Sequence, residues 1–252
     1  MNLELPAPPS SYRSPSQRVG ISTELWAEKN VYCPACQSAL VRTPNNTRVL
    51  DFRCKHCSLP FELKSKSGLF GTRIVDGAYS SMMGVVLENK QPNFLLMSYS
   101  QAKWVTNLEL IPRHFIIPQV IEKRKALSAN ARRAGWVGCN LRLTGIPIGA
   151  RIRYVWDGQI ARPENVYAQW SKNVFVEKAG LKTRGWLVTT MTLIERLGKS
   201  VFELKELYEF VPFLRDTFPG NRNIEAKLRQ QLQVLRDQGW LTFLGNGVYS
   251  RK

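Results

Sequence analysis

Cys33, Cys36, Cys54 and Cys57 form two C-x-x-C pairs with seventeen residues between them. Each pair suits a tight turn that points both sulfurs one way, and two such turns face to face give tetrahedral thiolate coordination. The separation lies in the range of a four-cysteine zinc site. The N-terminal stretch MNLELPAPPSSYRSPSQR has no charged start followed by an apolar run, so no secretion signal is expected. In a reducing compartment zinc is favoured over two disulfides. The alternative is a redox pair, but neither motif carries the flanks or the helix of a thioredoxin-like site. Four thiolates complete the shell, which makes His56 a bystander. A closed shell also has no position for substrate, so this zinc is expected to fold the chain, with any chemistry elsewhere. The fifth cysteine, Cys139, is expected to be an ordinary buried thiol.

The chain has 252 residues, of which 36 are Lys or Arg and 19 Asp or Glu, a formal charge of +17. No apolar run approaches the roughly 18 residues of a membrane span. Seven tryptophans and 44% hydrophobic residues make a core, not a disordered chain. The expectation is a soluble, cytoplasmic protein with a polyanionic partner, most simply nucleic acid. A merely basic surface or an acidic-membrane binder is the alternative.

The segment VLDFRCKHCSLPFELKSKSG carries the candidate chemistry. Val49 to Arg53 and Phe61 to Ser65 read as short strands joined by the second cysteine pair. Strand alternation points Glu62 and Lys64 the same way and Leu63 into the core. If the strands pair, zinc in their connection fixes the register, and Asp51 meets Glu62. Asp51, ten residues, Glu62, one residue, Lys64 is the D-(x)n-E-x-K pattern of PD-(D/E)xK nucleases. Two carboxylates suit an oxygen-loving divalent ion such as magnesium, with the Leu63 main-chain carbonyl as an extra ligand. Such an ion activates water and neutralises charge on phosphorus, and a lysine beside it orients or deprotonates that water. On its own the pattern also fits a solvated strand face with a salt bridge.

In ARRAGWVGCN, Arg132 and Arg133 suit phosphates or guanine edges. Trp136 offers an apolar face, or is simply a core residue. Met82 and Met83 are expected on a helix against the sheet. Asp76, before Gly77, is expected at a helix cap or turn, with metal binding as the alternative. Glu24 and Glu28 share one helix face, solvated by default, with a third acid for the site as the alternative. His114 is without a role.

Residues 163–184 read as irregular structure and linker. After them WLVTTMTLIERLG, FELKELYEFVPFLRDTF and IEAKLRQQLQVLRDQG read as three helices, with Asn223 a candidate cap. Ile224, Leu228, Leu232 and Leu235 share one face of the third. WLTFLGNGVYSRK reads as a hairpin. Three helices plus a hairpin make a winged helix. Lys227, Arg229, Gln230, Gln233 and Arg236 lie off the apolar stripe, as DNA-reading residues or as a solvated face. Residues 182–252 hold twelve basic and seven acidic residues, the remainder 24 and 12. Both parts are cationic and both are candidates for DNA.

DFRCKHCSLPFELKSKSG with its preceding YCPAC, then VDGAYSSMM, PNFLLMSYS, ARRAGWVGCN and KLRQQLQVLRDQGW, together resemble the DpnI-like, dam-replacing family of methyl-directed restriction endonucleases. The likeness runs through nearly the whole chain, in order, except the first fifteen or so residues. It implies an α/β PD-(D/E)xK domain with an inserted zinc site over 1–181 and a winged helix over 182–252. It implies magnesium-dependent cleavage of double-stranded DNA at GATC carrying N6-methyladenine. The implied catalytic residues are Asp51, Glu62 and Lys64, the zinc ligands Cys33, Cys36, Cys54 and Cys57, and the methyl sensor Trp136. Phe61 and Pro60 stand where the family has a more acidic stretch, which removes no catalytic group. DNA contacts are expected at Lys66, Arg132, Arg133, Trp136, Lys227, Arg229, Gln230 and Gln233. The expected state is a monomer with no obligate protein partner and no membrane. Two rivals stay open: a DNA reader with an inert D-E-K triplet, and a hydrolase of damaged or branched DNA.

Overall fold

The computed structural model describes residues 1–11, 14–44 and 50–251. Helix α1 (Pro15–Asn30) starts on a proline, whose fixed φ and missing N–H suit the first turn. It buries Trp26 and Ala27. Strands β1 (Leu40–Arg42), β2 (Phe52–Cys54), β3 (Pro60–Ser67) and β4 (Arg73–Ala78) follow, then helix α2 (Tyr79–Leu87). Next come β5 (Asn93–Tyr99), β6 (Val105–Ile111), β7 (Ile121–Lys123), β8 (Gly138–Arg142), β9 (Ile152–Trp156) and β10 (Gln159–Ile160).

Among the described residues, one sheet has seven strands in the order β1-β2-β3-β5-β6-β9-β10, and a smaller one has the order β4-β8-β7. Only β3 and β5 run parallel in the large sheet, and the crossover this demands is β4 with α2. All seven residues of β5, NFLLMSY, are buried, as befits a strand covered on both faces. Leu95 and Met97 face a core shared with Trp26 and Phe61. Phe94 and Leu96 face the other core, with Met82 and the small sheet's Ile74 and Leu141. The register sets Glu62 beside Phe94 and Lys64 beside Leu96. Glu62 and Lys64 therefore point at the small sheet.

Two element readings are corrected. The stretch 163–184 is not linker: α3 (Pro163–Asn173) buries Val166 and Trp170, and α4 (Leu181–Arg196) begins before the stretch ends. FELKELYEFVPFLRDTF is not one helix. It holds the end of β11 (Val201–Glu203), then α5 (Leu204–Tyr208) and α6 (Val211–Thr217). Helix α7 (Ile224–Asp237) buries Ile224, Leu228, Leu232 and Leu235. Asn223 sits at its N-cap, but its side chain makes no capping hydrogen bond. The hairpin β12 (Leu241–Gly245) and β13 (Val248–Arg251) turns through Asn246 and Gly247, both at positive φ as a tight hairpin requires. β11 joins it in a sheet ordered β11-β13-β12.

Helix α4 ties this unit to the rest. Trp186, Leu187, Val188, Met191 and Ile194 share one buried core with Met82, Phe115, Val120 and Leu143. Buried Arg184 donates to Asn89 Oδ1 at 2.6 Å and to the carbonyls of Glu177 and Ala179 at 3.1 and 3.0 Å. Glu195 accepts from the backbone of Ile148 and Gly149 at 2.5 and 3.0 Å. None of the described helices is long and apolar enough to cross a membrane.

Candidate active site and metal centre

The two cysteine turns are built alike. Gln37 N donates to Cys33 O at 2.8 Å, and Ser58 N to Cys54 O at 3.1 Å. Each turn is closed by a residue at left-handed φ, 59° at Gln37 and 61° at Ser58. Lys55 N donates to Ala39 O at 3.0 Å and joins the two turns. The four sulfurs all lie within 4.8 Å of one another. Cys33–Cys57, Cys36–Cys54 and Cys36–Cys57 are 3.5, 3.4 and 3.7 Å apart. Sulfurs at about 2.3 Å from a tetrahedral ion stand roughly 3.8 Å apart, so this cluster could hold zinc. No cysteine among the described residues is in a disulfide, and His56 is exposed and outside the cluster.

The second turn aims Asp51. Strand β2 begins at Phe52, so Asp51 is not inside the strand but at the bend before it; Val49 lies outside the described residues. β2 and β3 pair only at Phe52–Phe61 and Arg53–Pro60. Beyond that point the edge of β3 meets Asp51. Asp51 N donates to Phe61 O at 2.9 Å, and Leu63 N donates to Asp51 Oδ2 at 2.7 Å. A strand residue's N–H and C=O point to the same edge. The Leu63 carbonyl thus faces the side on which Asp51 lies.

Glu62 and Lys64 share the face expected of them, with Lys64 Nζ 2.5 Å from Glu62 Oε1. The lysine has a second partner, Asp76 Oδ1, at 2.6 Å. Asp76 is neither helix cap nor turn: it lies within β4, opposite Cys139 of β8 and beside a bulge at Asp76–Ala78. Bulges redirect side chains, and this one turns the strand where its carboxylate enters the site. Glu62 Oε2 and Asp76 Oδ2 are buried and have no hydrogen-bond partner among the described residues.

Burial pushes the Glu62 carboxyl up to about 7, with Asp76 and Asp51 adding to the rise and Lys64 opposing it. Burial likewise raises Asp51. Burial alone would lower Lys64, but Glu62 and Asp76 overcome it and hold the ammonium above its ordinary value. Cys139 is a neutral buried thiol, pushed up to about 11 by burial and then by Asp76. His114 is fully buried against Phe115 and Trp170, and burial lowers it to about 3, which keeps it uncharged. Glu24 pairs with Arg42 instead of facing solvent alone.

Trp136 lies in the arm between β7 and β8, half-buried on the outer face of the small sheet. Its ring covers Gly138, where an added Cβ would stand 2.8 Å from two ring carbons. Arg133 stacks on the ring at 4.8 Å. Arg132, Arg133 and Lys66 are exposed. Arg229, Gln230 and Gln233 are exposed on α7; Lys227 is half-buried and donates to Gln230 at 2.7 Å, and Arg229 donates to the Tyr208 hydroxyl at 2.6 Å.

The geometry defines a mixed α/β protein with a four-cysteine centre, a buried carboxylate–lysine cluster and a helix-turn-helix unit at its C-terminus. Residues 1–179 match the Dam-replacing family and residues 182–251 the Dam-replacing HTH domain. The chain belongs to the Dam-replacing family. The match starts at residue 1, so it includes the N-terminal stretch that had no obvious counterpart. Membership points to an endonuclease of the DpnI type and to DNA binding through the C-terminal domain.

Proposed function

We propose that this protein is a methyl-directed type II restriction endonuclease that hydrolyses double-stranded DNA at GATC sites containing N6-methyladenine. The carrying observation is the Asp51–Glu62–Lys64 cluster: a half-buried carboxylate and a buried one, the latter with an oxygen unpartnered among the described residues, beside a lysine kept charged. Residues of that kind fit a PD-(D/E)xK centre. Asp51, Glu62 and the Leu63 carbonyl would hold magnesium. Such an ion, when bound, lowers the pKa of a coordinated water and offsets charge on phosphorus. Held as an ammonium, Lys64 is a hydrogen-bond donor to the attacking water or a phosphate oxygen, not a base. Zinc on Cys33, Cys36, Cys54 and Cys57 is structural in this reading.

The reading divides the chain into a nuclease domain over 1–181 and a winged helix over 182–252, acting as a monomer. Lys66, Arg132 and Arg133 contact phosphates or guanine edges beside the site, and Lys227, Arg229, Gln230 and Gln233 do so from α7. Trp136 reads the methyl group. One buried methyl is worth only about 0.8 kcal/mol, so selectivity draws on both methyls of the palindrome and a tight fit.

The test is plasmid from a dam-methylating host, incubated with protein and magnesium. Limit fragments at GATC, absent from unmethylated plasmid, support the reading. Binding with intact DNA leaves a methyl reader, and equal degradation of both plasmids leaves an unspecific hydrolase.

Two further outcomes are expected. Trp136→Ala lowers the methylated-to-unmethylated cleavage ratio, and Gly138→Ala does the same from behind by displacing the ring, each by about tenfold, or ~1.4 kcal/mol. Ratios equal to wild type would return Trp136 to a packing role.

The second outcome concerns pH. Glu62 has a raised native pKa of about 7 against an ordinary 4.5. Between those values the native state holds a proton that the unfolded state lacks, so Glu62 lowers stability as pH rises through that window. A cation binds the ionised form and reverses the trend. Calcium should therefore raise the melting temperature more at about pH 8 than at about pH 6. A calcium effect that is flat or falls with pH would remove Glu62 from the ion's ligands.

A further inference from the structure

Asp76 lies in a strand of the small sheet, yet its carboxylate crosses to β3 and meets Lys64 Nζ at 2.6 Å. Its side chain is only 5% exposed. Burying a carboxylate is costly unless it is paired, and among the described residues one Asp76 oxygen has a partner and the other has none. The groups around Lys64 are Glu62 on its own strand, Asp76 on β4, Asp51 before β2, Cys139 on β8 and the ring of Phe94 on β5, 5.9 Å from Nζ. With all three carboxylates ionised, one ammonium leaves the pocket two negative charges, which one divalent ion would balance.

Resting on the nuclease reading above, we propose that Asp76 is the positioning residue that keeps the Lys64 ammonium in the site once Glu62 turns its charge to a cation. In the free protein Lys64 is held twice, by Glu62 and by Asp76. Glu62, holding a divalent ion, would give up its share of the ammonium, which the ion's charge would disfavour there. A lysine held by Glu62 alone would swing to solvent on its flexible stem. Asp76 sits on the small sheet, across from β3, and its hold on Lys64 does not pass through Glu62, so that hold persists when an ion is in place. The bulge at Asp76–Ala78 fixes the direction of that hold, and Asp76 acts through the lysine without touching substrate.

The test compares wild type with Asp76→Asn, which keeps the shape and removes the charge. Lysine acetylation is followed by mass spectrometry, with and without calcium. Lys64 is expected to stay protected in wild type under both conditions. In the variant it should become several-fold more reactive when calcium is added, with Lys66 and Lys123 unchanged. Single-turnover cleavage of methylated DNA should slow about 100-fold, with DNA affinity unchanged. Adding Asp76→Asn to Lys64→Ala should cost nothing more, because the two act as one unit.

Equal Lys64 reactivity in wild type and variant overturns the positioning role, whatever the cleavage result. A wild type that leaves methylated DNA intact sinks the nuclease reading, while the reactivity difference still decides whether Asp76 tethers the lysine. Should Asp76→Asn fail to fold, Asp76→Glu keeps the charge but moves the carboxylate by one methylene. It is expected to cleave about tenfold more slowly, and a wild-type rate there would also overturn the proposal.

Discussion

Lys64→Ala should reduce single-turnover cleavage by about 10³-fold while leaving DNA affinity at fixed salt within a few-fold. The affinity barely moves because one of 36 basic residues is lost, and its ammonium is turned inward to Glu62 and Asp76. The rate falls because that ammonium lies against Glu62, one of the two carboxylates proposed to hold the ion. The variant also leaves Glu62 and Asp76 facing each other without a cation between them. Removing one partner of a buried ion pair costs about 3 kcal/mol, and protonation of Glu62 absorbs part of it. Lys64→Met keeps the stem over Phe94 and is the cleaner comparison. Cleavage by either variant at a rate near wild type would strip the cluster of its catalytic assignment.

Cys54→Ser is expected to cost most of the folding free energy of the N-terminal half, and stripping the metal with a strong chelator should do the same. Structural zinc in small four-ligand sites is worth on the order of 10 kcal/mol at neutral pH. The loss would not stay local. Cys54 is the last residue of β2 and the partner of Leu40 in β1, and its turn sets where β2 meets β3. Asp51 is held by that meeting, through Phe61 O and Leu63 N. Metal analysis should find one zinc per chain in wild type, and melting with cleavage should show both lost together in Cys54→Ser. A zinc-free variant with wild-type melting and activity would detach the cysteine centre from the active site.

The parts of the site that were legible in the sequence are those whose geometry is local. Two C-x-x-C turns and the Glu62-x-Lys64 alternation are fixed within a few residues, so spacing alone orients them. Asp76 was legible as an acid with a metal-binding alternative, but its meeting with Lys64 was not. It is twelve residues from Lys64, but it meets it across two sheets, by way of a bulge no pattern announces. Helix α3 was misread although its signals were present: Pro163 in the first turn, and Val166 and Trp170 one turn apart. β11 spans three residues and pairs with β13 almost fifty positions later, which leaves no short-range trace. The apolar stripe of α7 was readable because four leucine and isoleucine side chains repeat at helical spacing.

Helix α4 gives the C-terminal unit an unusual mechanical status. Many reading heads hang from their enzymes on slack tethers and sample the duplex independently. Here the first helix of the head is driven like a dowel into the oily interior beneath the small sheet, and Arg184 and Glu195 lock it at either end. Severing the chain near Ala179 would lay bare Trp186, Leu187 and Met191, so neither fragment should survive as a well-behaved solo species. The span between the α7 surface and the proposed scissile centre is accordingly set at folding, like the jaws of a caliper, before any duplex arrives.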